Sequence, residues 1–252
     1  MAKQSLGIIG AGAFGAFMAK HLAPHFALSL YDATPGKAAR AAKKLGAKSG
    51  DLKQIASCDI VVIAVPVQKI ESVLKQISGM LKPGALVLDV ASVKLKPILQ
   101  MKTILPKHVD ILGTHPLFGP QTGKHGIKGL NIVLCDVRGS SGKKGRAACV
   151  ATFLRRKLGL AVHQATPEAH DRELAYVQGL THMLMKVVVA LDLPRFRFTT
   201  KTYDYLQQMV EMIRYDSDEL FRAIARENPF SGEAKKRFFA AARQLEKNLG
   251  RH

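Results

Sequence analysis

The chain has 252 residues, and 38 lysines and arginines against 19 aspartates and glutamates leave it a formal net charge of +19. With 47% hydrophobic and 23% charged residues it has an ordinary globular balance, enough to bury the core of one large domain or two modest ones. No apolar run approaches the length of a bilayer span, and the opening MAKQSLGIIGAGAFG lacks the basic cap, apolar stretch and cleavage site of a signal peptide, so a cytoplasmic protein without a membrane partner is expected.

Three cysteines, Cys58, Cys135 and Cys149, with no CxxC pair, argue against a disulfide scaffold and against a cysteine-rich metal site. They are expected to be reduced, with Cys58 and Cys135 in or beside apolar strands. The positive charge is spread over AKKLGAK, LKPILQMK, GKKGR, FLRRK and EAKKRFF, with no RNA-binding aromatic motif and no zinc-finger spacing. A basic surface that attracts small anionic ligands is expected rather than a nucleic-acid partner.

Along the chain, LGIIG (6–10) reads as a short buried strand, followed by the glycine turn and a helix over AFMAKHLAPH. ALSLYD (27–32) is a second strand and GKAARAAKKLG a helix closed by Gly46. CDIVVIAVP (58–66) is a third, strongly apolar strand. QKIESVLKQISGML places Ile70, Val73, Leu74 and Ile77 at helical spacing. ALVLDVAS is a strand, and KPILQMKTILP, a short helix or turn, leads to VDILGTHP, then a loop. NIVLCD and LAVHQA are strands separated by the helix AACVATFLRRKLG, and GSSGKKG (139–145) is a basic loop. Alternating strands and helices with continuous apolar strands predict an α/β, Rossmann-type, doubly wound and mostly parallel sheet over 1–165. From 166 to 252 the pattern is helical: 168–191, TYDYLQQMVEMI, SDELFRAIAREN and GEAKKRFFAAARQLEKNL.

Gly10, Gly12 and Gly15 form G-A-G-A-F-G between a strand and a helix. The first permits a tight turn, the second lets the backbone approach a pyrophosphate, and the third lets helix and strand pack closely. With Ala13 and Phe14 they open a helix whose free N–H groups and positive dipole end face phosphates. Asp32, at the end of the second strand, is placed to accept hydrogen bonds from an adenosine ribose. Its charge disfavours a 2′-phosphate, so NAD is expected over NADP, with Lys37 and Arg40 softening the preference. Ala64, Val65 and Pro66 end the third strand on the adenine and ribose side.

GTHPLFGP (113–120) puts His115 after an apolar strand, where open parallel sheets bind ligands. A histidine there can take the proton that an alcohol carbon loses along with its hydride. DVASVK (89–94) brings Ser92 to a neighbouring strand end, able to orient the histidine or hold a substrate hydroxyl. Lys94 reads either as a surface lysine or as an anion contact.

DVASVK followed by GTHPLFGPQTG resembles the prephenate and arogenate dehydrogenase family of tyrosine biosynthesis. HDRELAYVQGLTH (170–182) is similar to that family's helical segment, in which an HD pair precedes a second histidine, and its Gln178-to-His182 spacing looks most like the plant-type branch. The resemblance implies oxidative decarboxylation of a cyclohexadienyl substrate, arogenate or prephenate, with hydride transfer to NAD(P). It implies His115 and Ser92 as the catalytic pair and His182 and Gln178 in the substrate pocket. Lys201 stands where many relatives carry an arginine for a substrate carboxylate, with Arg195 and Arg197 nearby. Asp216 resembles the acidic position of plant-type arogenate enzymes; it reads equally as the N-cap of the following helix. The resemblance also implies a homodimer through the helical domain. The competing readings are another two-domain NAD(P) oxidoreductase, of hydroxyacid dehydrogenase or pyrroline-carboxylate reductase type, and a non-catalytic protein that binds nucleotide or nucleic acid.

Overall fold

The structure is a computed structural model that describes residues 3–139, 145–194, 196–214 and 216–250. The chain divides into two compact units, Met1–Glu168 and Ala169–His252.

The first unit is built on one eight-stranded sheet: β1 (Ser5–Ile9), β2 (Ala27–Tyr31), β3 (Lys48–Ser49), β4 (Ile60–Ile63), β5 (Leu86–Asp89), β6 (Asp110–Pro116), β7 (Asn131–Arg138) and β8 (Ala161–Gln164). Their spatial order is β3-β2-β1-β4-β5-β6-β7-β8. The first six strands run parallel, β7 is antiparallel to β6, and β8 is parallel to β7. Helices α1 (Ala13–Leu22), α2 (Lys37–Leu45), α3 (Leu52–Ala56), α4 (Val67–Ile77), α5 (Leu95–Ile104) and α6 (Arg146–Leu158) make the crossovers. The central strands read IVVI, LVLD and GII because both faces lie under helices; Ile8, Val61, Ile63, Val87 and Ile111 are fully buried. The chain winds outward from β1 through β2 to β3 and then restarts at β4 on the other side of β1. That reversal opens a crevice at the carboxyl ends of β1 and β4, where doubly wound sheets bind ligands.

Two short elements escape the sequence reading. β3 has two exposed residues at the sheet edge, too short for any periodicity. α3 is announced by a capping box: Asp51 accepts from the Gln54 N–H at 2.8 Å, and the Gln54 side chain accepts from the Asp51 N–H at 3.0 Å. A larger correction concerns GTHP. Gly113 to Pro116 do not follow the strand but form its last residues, because β7 folds back antiparallel and pairs with them through Pro116↔Ile132. The basic loop read at 139–145 lies, apart from its two end glycines, outside the described residues.

The N-terminal edge of the sheet carries a polar clasp. Asp59 accepts from the Ser5 hydroxyl at 2.6 Å and the Ser5 N–H at 2.9 Å, and it pairs with Lys82. The Lys82 ammonium, then the two Ser5 donors, hold its carboxyl down at about 2. A carboxyl depressed in the folded state contributes stability that is complete above its unfolded value near 4 and lost as the pH falls towards 2. Asp59→Asn should therefore lower the thermal midpoint at pH 7 and leave it unchanged at pH 2. Melting curves of both proteins across that range test this; a gap that persists at pH 2 would contradict it.

The second unit is helical, as its sequence predicts: α7 (Pro167–Leu174, which begins just before the division), α8 (Thr181–Ala190), α9 (Lys201–Ile213), α10 (Asp218–Arg222) and α11 (Ser231–Leu249). The helix expected over 168–191 is interrupted by a π-helical turn at Ala175–Leu180, and a second π turn covers Ala223–Glu227. Such turns widen the helix locally and recur at functional sites. Met185, Val210 and Ile213 form a small core between α8 and α9, with Val188, Val189 and Leu206 packed against it.

Candidate active site

The glycines act as their spacing requires. Gly10 has φ +110°, and a Cβ there would run into the Ala64 carbonyl. A Cβ on Gly15 would strike the Gly10 carbonyl oxygen, so α1 can lie this close to β1 only without one. Gly12 differs: a Cβ would meet open space, with the Lys37 ammonium 4.0 Å away. Gly12 is also the N-cap of α1 and offers no side-chain cap to its first N–H groups. Ala13 is exposed and Phe14 half-buried beside it. Open space over uncapped N–H groups with an ammonium alongside fits a pyrophosphate.

Asp32 does more than the sequence foretells. Its Oδ2 accepts from the Ala11 N–H at 2.8 Å and its Oδ1 from the Thr34 N–H at 2.9 Å, so it ties the glycine turn to the end of β2. Lys37 stands 3.4 Å from Oδ2. Burial alone would raise this carboxyl, but the Thr34 and Ala11 donors and the Lys37 charge hold it below its ordinary value. An ionised carboxylate has four lone-pair positions, which leaves room for ribose hydroxyls. Ala64, Val65 and Pro66 lie just past β4, partly open to solvent, with the Ala64 N–H bonded to the Ile9 carbonyl at 2.8 Å.

Because β1, β2, β4, β5 and β6 run parallel, the glycine turn, Asp32, Ala64–Pro66, the Ser92 loop and His115 share one edge of the sheet. His115 is 2% exposed and sits in β6 opposite Val133 of β7. Ser92 is half-buried, three residues beyond the end of β5.

Lys94 is neither a surface lysine nor an anion contact. Its side chain is fully buried; it pairs with the equally buried Asp89 and donates to the Thr114 carbonyl at 2.7 Å. Burial pushes the Asp89 carboxyl up, against the pull of Lys94. The sequence holds a signal for this pair only in retrospect, as an acid at a strand end five residues before a lysine.

In the helical unit, His182 Nε2 lies 3.0 Å from Asp216 Oδ2 and His182 Nδ1 lies 2.9 Å from the Gln178 carbonyl. The π turn carries Gln178, and its side-chain Oε1 is buried without a hydrogen-bond partner among the described residues. Asp216 is not the cap of α10. Ser217 takes that place and accepts from the Leu220 N–H at 3.2 Å, which leaves the Asp216 carboxylate free to reach His182. Gln178, His182 and Asp216 are thus brought together. Lys201 is not with them: it is exposed at the start of α9, its ammonium 5.2 Å from the Tyr205 ring centre. Arg197 lies over the Phe198 ring, and Arg195 is outside the described residues.

A Rossmann unit that sets a histidine on the same sheet edge as a dinucleotide turn has the apparatus of an NAD(P)-dependent dehydrogenase, and that is the class of this protein. Residues 16–157 match the family model described as prephenate dehydrogenase, nucleotide-binding domain. The chain is 32% identical over 251 residues to the chloroplastic arogenate dehydrogenase 2 of Arabidopsis thaliana, a match covering 97% of this chain and 69% of that protein. The chain belongs to the prephenate dehydrogenase family.

A probable arogenate/prephenate dehydrogenase of Methanocaldococcus jannaschii is 26% identical over 212 residues, 81% of this chain and 47% of that one. Among solved structures, the prephenate dehydrogenase of Aquifex aeolicus in complex with hydroxyphenyl propionate and NAD+ shares the fold, with a TM-score of 0.75 at 21% identity over 100% of this chain and 92% of that chain. Among the described residues no helix is long and apolar enough to cross a membrane.

Proposed function

We propose that the protein oxidatively decarboxylates arogenate in preference to prephenate, with NAD as the preferred hydride acceptor. The observation that carries this reading is His115 as the penultimate residue of β6, at the sheet edge that also bears the glycine turn. A bound nicotinamide dinucleotide supplies the acceptor for the hydride from the ring carbinol carbon. His115 takes the hydroxyl proton as the hydride leaves and returns it to the phenolate oxygen once the ring is aromatic, and Ser92 holds that hydroxyl or the imidazole in line. The ring carboxylate leaves as carbon dioxide, its bonding electrons completing an aromatic ring. Aromatisation drives the step downhill, so the residues mainly have to align the reacting carbon.

The preference for arogenate rests on Asp216. Its carboxylate, not being spent on a helix cap, complements a side-chain ammonium and disfavours a keto acid. His182 Nε2, 3.0 Å away, steadies it, and the Gln178 carbonyl holds the other ring nitrogen of His182. The ionised Asp32 disfavours a 2′-phosphate, while Lys37 at 3.4 Å offsets part of that charge, so NADP is used less well rather than refused. NADH or NADPH formation at 340 nm with each substrate and each cofactor tests all of this. Arogenate with NAD should be fastest. No turnover in any combination, from folded protein that binds NAD, would overturn the reading.

A homodimer through the helical unit is part of the same proposal. Leu184, Val187, Leu191, Phe198, Met209 and Met212 are exposed there, between 37 and 81%. So large an apolar surface on one small unit suits a second copy. Sedimentation equilibrium should give twice the chain mass of 27.4 kDa, and a monomer at micromolar concentration would refute it. Cys58, Cys135 and Cys149, none of them in a disulfide, suit a reducing compartment, in keeping with the cytoplasm.

A further inference from the structure

The ladder between β5 and β6 ends at Asp89↔Gly113. The next two residues of β6, Thr114 and His115, still pair with Leu134 and Val133 of β7 on one side. On the other side β5 ends at Asp89 and its ladder with β6 goes no further. Side chains take over. The Lys94 ammonium donates to the Thr114 carbonyl at 2.7 Å, and the Thr114 hydroxyl donates to the Asp89 carbonyl at 2.5 Å. Lys94 also pairs with Asp89 Oδ2, which accepts from the Ala91 N–H at 3.0 Å. Asp89 Oδ1 is buried without a hydrogen-bond partner among the described residues. Lys94 is the largest of the fully buried side chains.

Taking two charges out of water is costly, and apolar side chains of similar size often fill such a place with no loss of stability. Here the costly solution stands where β6 carries His115 and where the loop from β5 carries Ser92. We propose that the Asp89–Lys94 pair is a positioning device for His115: it extends the hold of β5 on β6 past the end of their ladder and locks the Ser92 loop to the backbone that holds the imidazole. This rests on the reading of His115 as the proton acceptor. Neither Asp89 nor Lys94 is assigned any contact with substrate.

The test compares Lys94→Met, the double variant Asp89→Asn with Lys94→Met, and Thr114→Val, alongside wild type and His115→Ala. Lys94→Met leaves a buried carboxylate unpaired and should be strongly destabilised. The double variant removes both charges and should recover the thermal midpoint and the wild-type Kd for NAD. Its kcat should nevertheless stay about 100-fold low, the size of effect a misplacement of about 1 Å produces, with KM changed only a few-fold. With substrate deuterated at the carbinol carbon, its isotope effect on kcat should exceed that of wild type, because poor alignment slows the hydride step itself. Thr114→Val, which removes one hydroxyl bond from a site otherwise intact, should lose roughly five-fold in kcat at unchanged KM.

A double variant with wild-type stability and wild-type kcat would overturn the proposal. So would an undiminished kcat in Thr114→Val, which decides the matter should the double variant fail to fold. Wild-type turnover that His115→Ala does not reduce would sink the underlying reading of His115 and the proposal with it. Wild-type turnover lost in His115→Ala but unaltered in the other variants would sink the positioning role alone.

Discussion

His115→Ala should lower kcat by about 10²–10⁴-fold, the usual contribution of a positioned acid or base. The loss should fall on kcat and kcat/KM together, since the proton is transferred only as the hydride leaves. NAD affinity should stay close to wild type, because Gly10, Gly12 and Asp32 follow β1 and β2, which lie three and four strands from β6 in the sheet. Removing a buried imidazole also leaves a cavity, so His115→Asn belongs in the same series. Asparagine refills much of the space but cannot accept the proton, and it should be as inactive as alanine. Stopped-flow NADH formation together with NAD titration decides the matter. A loss of less than ten-fold in either variant would show that the proton goes elsewhere.

The second large effect is expected at Asp216. Asp216→Asn should cut kcat/KM for arogenate about 10- to 100-fold, the worth of one charged hydrogen bond of about 1.5–3 kcal/mol. The value for prephenate should hold or rise, so the order of preference narrows or reverses. The fold should tolerate the change. Ser217, not Asp216, caps α10, and an asparagine amide can donate to or accept from His182 Nε2. Thermal midpoints within a few degrees of wild type would confirm that the change is one of specificity. An unchanged ratio of the two efficiencies would remove Asp216 from substrate recognition.

Much of this molecule was legible in its sequence because much of it is locally encoded. Among the described residues of the first unit, the alternation of apolar runs with amphipathic stretches marked seven of the eight strands and four of the helices α1 to α6, and left α5 as a helix or a turn. Continuous rather than alternating apolar strands announced a sheet covered on both faces. The glycine turn was readable as chemistry because Gly10 and Gly15 each answer a backbone demand, at the neighbouring strand and within five residues respectively. The π turn at Ala175–Leu180 was not readable: a helix with one widened turn has nearly the same apolar spacing as a regular one.

The site was legible in part. Its residue types and order along the chain pointed to the family, and the family model and relatives agree. The partners of those residues were hidden. Lys94 looked like any lysine after a strand, and only the departure of the chain from β5 at Asp89 makes the Thr114 carbonyl, 20 residues later, the place for its ammonium. Asp216 and Ser217 both suit an N-cap by type, and local rules cannot rank them. The choice depends on His182, 34 residues earlier, lying within reach of one and not the other.

By itself, then, the sequence determined the doubly wound unit, its dinucleotide turn and the helical character of the second unit, because these follow from backbone geometry and from periodicities of two and 3.6 residues. Only the tertiary structure decided that His115 lies within a strand, that Lys94 is buried and paired, and that Asp216 faces a histidine. Each of those outcomes hangs on a contact between segments far apart in the chain, and such contacts form only when the sheet and the helices have closed around them.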